Sequence, residues 1–133
     1  MTLLQGTVAV LAIVPCLLPA QDSPQYRACT KTAQAQYDLN ACAADEAKRV
    51  DAELNRVYRE LLAKTTDDPA ALEKIKKFQR AWIAYRDACI EATYPAEDKR
   101  AEYGSMYPME VDLLGAKLTR QQIVVLKELS QER

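Results

Sequence analysis

The chain has 133 residues, with 18 Lys+Arg against 19 Asp+Glu and a formal net charge of -1. That length suits one domain around one core, and the even charge excludes the basic excess of a nucleic-acid binder. Only three glycines and no histidine occur, so helix breakers are few, and nucleophile pairs or zinc-helix motifs that need imidazole are excluded.

Residues 1–20 carry no charged side chain. Val8 to Val14 is a continuous apolar run, with Pro15 and Pro19 after it and then polar Gln21-Asp22-Ser23-Pro24. The pattern predicts a signal peptide cleaved near Ala20. Residues 21–133 would then be a single exported helical domain, periplasmic or extracellular, with no membrane attachment after cleavage. No Lys or Arg precedes the apolar run. A retained anchor is one alternative, although a span needs about 20 apolar residues. Lipoprotein cleavage at Cys16 is another, with Pro15 standing where a small residue is usual.

Cys29, Cys42 and Cys89 remain beyond that segment. An exported compartment permits disulfides, and three thiols leave at least one unpaired or bridged to another chain. Cys29 with Cys42 is the preferred pair. In one straight helix they would lie about 20 Å apart, whereas a disulfide needs Cα atoms roughly 4.4–6.8 Å apart. The chain must therefore reverse between them. Tyr37-Asp38-Leu39-Asn40 offers the turn, with Asp38 capping a helix from about Leu39. Three reduced, packed cysteines are the other reading.

From Leu39 to Lys64 the apolar positions Leu39, Cys42, Ala43, Ala47, Val50, Leu54, Val57, Tyr58, Leu61 and Leu62 fall on one helical face. Thr65 to Pro69 breaks the pattern, with Asp68 as cap and Pro69 at the first helical position of a second helix. That helix runs to about Thr93 along Leu72, Ile75, Phe78, Gln79, Trp82, Tyr85 and Cys89, and Tyr94-Pro95 ends it. Two long helices on a short connection predict an antiparallel hairpin. Pro108, Gly104 and Gly115 punctuate the next stretch. Thr119-Arg120-Gln121-Gln122 has capping-box form and predicts a shorter C-terminal helix to about Gln131. The fold class is thus all-α: a disulfide-tied antiparallel hairpin of two long helices plus a shorter third.

No catalytic, cofactor or metal site is expected. The three cysteines lack paired ligand spacing. Cys89 reads as a small buried hydrophobe, or as a free thiol beside Arg86. Asp51 and Glu53 are two apart and do not share a helix face.

Two segments carry a resemblance. One is Gln34-x-Gln36-x-x-Leu39-Asn40-x-Cys42 followed by Asp51-x-Glu53-Leu54-Asn55-x-x-Tyr58. The other is Gln79-Arg80-Ala81-Trp82-x-x-Tyr85-Arg86-Asp87-x-Cys89. Gly104-Ser105-Met106 and Leu118-Thr119-Arg120 fit the same pattern. Together they resemble the LprI-type lysozyme-inhibitor domain, a family of small exported bacterial helical proteins. The resemblance implies a protein partner, with a lysozyme the candidate its family name suggests, and maps no inhibitory residue. The family commonly has a further cysteine about where Leu113-Leu114 stand, so its absence here strands Cys89.

Physics gives the same motif residues a structural role. Trp82 and Tyr58 would fill the hairpin core. Asn55 and Gln79 would hydrogen-bond across the two helices, and Arg86 would pair with Asp51 or Glu53 or with a backbone carbonyl. Two functions follow: a non-catalytic inhibitor of lysozyme-type muramidases, or an envelope structural or adaptor domain with another partner.

Overall fold

The computed structural model describes residues 22–132, so the signal-peptide reading of residues 1–20, Cys16 included, lies outside the described residues. The elements are α1 (Pro24–Thr32), α2 (Gln36–Lys64), α3 (Pro69–Thr93), α4 (Lys99–Tyr103), a 3-10 turn (Gly104–Met106) and α5 (Tyr107–Gln131). The described residues contain no strand, and none of these helices is long and apolar enough to cross a membrane.

Local chemistry sets most boundaries. The Ser23 hydroxyl accepts from the Tyr26 amide to start α1, with Pro24 in the first turn. Asp68 accepts from the Ala71 amide at 2.9 Å to start α3, and Pro69 follows it. The start of α2 differs from expectation. The chain reverses at residues 33–35, and Tyr37-Asp38-Leu39-Asn40 is already helical. Asp38 is the third helical residue and reaches back to the amides of Gln34 and Ala35 at 3.0 and 3.1 Å. It supplies the acidic half of a capping box.

The third long helix is the larger correction. A short helix from Thr119 was expected, but α5 is 25 residues long, equal to α3. Pro108 sits in its first turn, where a missing amide is harmless. Thr119 lies mid-helix and donates its hydroxyl to the Gly115 carbonyl at 2.8 Å. Gly115 is interior to α5, and a Cβ there would meet only Ile90 Cδ1, at 4.0 Å. Gly115→Ala should therefore raise stability by about 0.5–1 kcal/mol through the restricted unfolded chain, measured as a higher denaturation midpoint. A lower midpoint would show that helix packing there is tighter than 4.0 Å implies.

The closest helix pair is α2 with α5, not α2 with α3. Their cross-contacts rise together in number: Gln36 to Met109, Glu46 to Arg120, Glu53 to Lys127 and Lys64 to Ser130. The two helices are thus parallel. The return helix α3 runs antiparallel to both, as its short connection to α2 requires. Its Gln79 meets Gln122 of α5. The core joins Val50, Leu54, Val57 and Leu61 of α2 to Ile75 and Trp82 of α3 and Ala116, Ile123 and Leu126 of α5. Because α3 rests on the α2–α5 pair along one narrow seam, its inward line is Ala71, Ile75, Gln79 and Trp82. Phe78 and Tyr85, expected inside, are 38% and 59% exposed.

A second cluster seats α1. Tyr26 packs with Cys42 and Ala43, backed by Met109 and Leu113 of α5. Cys29 and Cys42 are disulfide-bonded with Cα atoms 5.7 Å apart, inside the usual range. Leu113 of α5, at the Leu113-Leu114 position, packs beside this bridge.

Candidate functional site

Beneath α1 lies a buried charge that the sequence pattern hides. The Glu46 side chain is fully buried in α2. It accepts from the Ser23 amide and hydroxyl, from Arg49 at 2.7 Å, and from Arg120 of α5. Burial pushes its carboxyl up. The Ser23 and Arg49 hydrogen bonds and the Arg120 charge outweigh that, so its pKa is lowered. The cluster ties three helices together. Arg120 belongs to the Leu118-Thr119-Arg120 motif segment, so this residue has a structural partner.

The family-type motif residues divide into core, surface and groove. Leu54 and Trp82 are in the core, and Tyr58 packs half-buried against it. Gln79 is buried and accepts from Gln122 Nε2 at 3.0 Å. Its partner helix is α5, where Gln122 was expected only as a capping residue. Removing one amide should leave the other unpaired. Gln122→Leu should lower stability by about 1–3 kcal/mol, and Gln79→Leu in the same chain should restore much of it. Denaturation of the two singles and the double tests this, and strictly additive losses would refute a coupled pair.

Asn55 does not cross between helices. It is exposed and donates to Asp51 on its own helix at 3.3 Å. Arg86 pairs with neither Asp51 nor Glu53. It lies 5.3 Å over the Trp82 ring and bonds its neighbour Asp87 at 2.9 Å. Glu53 is taken by Arg56 at 2.7 Å and Lys127 at 3.1 Å. Chiefly through the Arg56 hydrogen bond, its carboxyl is pushed down to about 2. Cys89 is half-buried and, among the described residues, unbonded to another cysteine.

Two concavities collect what remains. A groove of about 360 Å³ runs where α2, α3 and α5 meet and brings together Asp51, Arg86 and Asp87 with Lys48 and Asp112. Burial raises the Asp112 carboxyl, with the Lys48 charge opposing. In this groove motif residues from both resembling segments converge beside solvent. The other, about 310 Å³, lies at the end of the molecule formed by the first turns of α2 and α5 and the Gly104–Met106 turn. Here Asn40 donates to the Ser105 carbonyl at 3.0 Å and accepts from Gln36 at 2.8 Å. Tyr107 forms one wall. It stacks on Tyr103 at 5.7 Å and meets Tyr94 edge-on at 5.3 Å. The described residues contain no cluster of three or more Cys, Asp or Glu side chains able to hold a metal.

Comparison with known proteins gives the context. A family model described as lysozyme inhibitor LprI matches residues 28–126. The chain is also 41% identical over 133 residues to a protein of Rhizobium meliloti (strain 1021) described as uncharacterized, covering 91% of each chain. No solved structure matches. The matched span includes the disulfide, Glu46 with its partners Arg49 and Arg120, α3 and most of α5, and on that extent the chain belongs to the LprI lysozyme-inhibitor family.

Proposed function

We propose that the chain is an exported, non-catalytic protein-binding domain that inhibits lysozyme-type muramidases. The family match over residues 28–126 carries this reading. The apolar run at Val8 to Val14 supports export, and the absence of histidine supports a binding rather than a catalytic role. The groove bearing Asp51, Asp87 and Asp112 is the contact face we assign to a cationic enzyme. The purified oxidised protein, added in rising amounts, should slow lysis of a cell-wall suspension by lysozyme and saturate near one equivalent. Undiminished lysis in the presence of excess folded protein would reject the proposal.

The exposed apolar residues favour a second reading. Phe78, Ile83 and Tyr85 on α3 and Val124 and Val125 on α5 are 38–59% exposed, and large apolar side chains at a surface suit a protein partner. On that reading the domain is an envelope adaptor. Affinity capture from envelope extract should return one specific partner other than lysozyme, lost on changing Tyr85 and Phe78 to serine. Unchanged capture by that variant would remove it.

A further inference from the structure

The cavity at the first turns of α2 and α5 is built from polar and aromatic groups that the muramidase reading does not use. Two chain segments far apart in sequence meet there, tied by the Asn40 to Ser105 bond. Gln36 spends its amide nitrogen on Asn40 and Met109, and its side-chain oxygen takes no bond from the described residues. Arg100 also lines the cavity, and its guanidinium makes no ion pair or hydrogen bond among the described residues. Tyr37, at the same rim, is 80% exposed. Gly104 has φ +68°, and a Cβ there would meet nothing within 4 Å, so its backbone borders open space.

The lining holds one cation and no carboxylate, in a chain whose net charge is -1. It selects for an anionic or neutral guest. Flat tyrosine rings suit the C–H faces of a pyranose, while side-chain amides and a serine hydroxyl suit its hydroxyl groups. A free guanidinium suits a carboxylate, which it binds through paired N–H donors. The volume of about 310 Å³ lies at the small end of ligand pockets. We propose that this cavity binds a carboxylate-bearing saccharide, with Arg100 on the carboxylate, Tyr37 and Tyr107 against the ring, and Gln36 and Ser105 on hydroxyls. The site stands independently of muramidase inhibition.

Titration of the isotope-labelled, oxidised protein with a hexuronic-acid disaccharide tests it by NMR. The backbone amides of Gln36, Tyr37, Asn40, Gly104 and Ser105 should shift together. Arg100→Ala should weaken binding about tenfold, the loss expected for one charge-assisted contact. Tyr37→Ala should weaken it as well. Both residues are exposed, so the rest of each spectrum should be unchanged. The matching neutral disaccharide should bind about tenfold more weakly, and acetate alone should leave these amides still. Three results would overturn the proposal: no shifts at the cavity, equal binding of the neutral sugar, or the same shifts from acetate.

Discussion

Glu46→Ala should lower stability by about 3 kcal/mol, at the low end of what breaking a buried ion pair removes. The low end applies because the stranded cations can reach water. The side chains of Arg49 and Arg120 are 40% and 23% exposed. The loss also frees the Ser23 amide and hydroxyl at the start of α1. Urea denaturation should show a lower midpoint with little change in slope, and a loss under about 1 kcal/mol would refute the role of the cluster in holding the three helices together. The pH dependence has a fixed sign. The folded carboxyl titrates below its ordinary value of 4.5. Its contribution is therefore complete above about pH 4.5 and is lost as pH falls through the folded value. Glu53, held down to about 2 by Arg56, adds to the same acid branch. Glu46→Gln should flatten that branch in part and leave the Glu53 portion.

Opening the Cys29–Cys42 bridge should remove a similar amount. The cysteines are 13 apart, and closing a loop of that size contributes roughly 3 kcal/mol in the chain-entropy treatment. A Cys29→Ser, Cys42→Ala chain tests this without placing a hydroxyl at the buried Cys42 position, which is 2% exposed. Because α1 is also held by Tyr26 and by Ser23 on Glu46, loss of the bridge should first free α1. Amides of residues 24–32 should exchange faster with solvent, while those of α3 stay protected. Equal loss of protection across all helices would mean that α1 does not open separately. Combining this change with Glu46→Ala should undock α1 entirely and fall short of the sum of the two effects, since the contribution of the one helix they share cannot be lost twice.

The sequence reveals features that short-range chemistry decides. Asp68-Pro69 and Tyr94-Pro95 bound α3 because a cap and a proline act within three residues. The preferred Cys29–Cys42 pairing required a chain reversal between the two cysteines, and the bridge and the reversal at residues 33–35 are both present. Thr119-x-x-Gln122 imitates a capping box, yet both residues are buried mid-helix in α5. Local composition cannot report that α2 and α3 cover them. Glu46 was illegible for the same reason. It stands between Asp45 and the Lys48-Arg49 pair on what reads as a solvated stripe. Only the arrival of α1 and α5 buries it. At the candidate groove, Asp51, Arg86 and Asp87 were singled out from motifs, and the fold does bring them together. The choice of Asp87 over Asp51 as the partner of Arg86 depends on side-chain reach across a groove, which no spacing rule contains.

The parallel pairing of α2 with α5 also governs how the chain reaches its native state. Its cross-links span 73 or 74 residues at Gln36–Met109, Glu46–Arg120 and Glu53–Lys127. A hairpin of neighbouring helices would close over a few residues and fold early. Here the dominant interface closes a loop most of the length of the described chain, with the entropy that entails. Until α5 has emerged, the apolar stripe of α2 has only α3 to cover it. A chain made from its N-terminus therefore holds that stripe with one face uncovered until Tyr107–Gln131 follows, and α5 is the closing element of the fold.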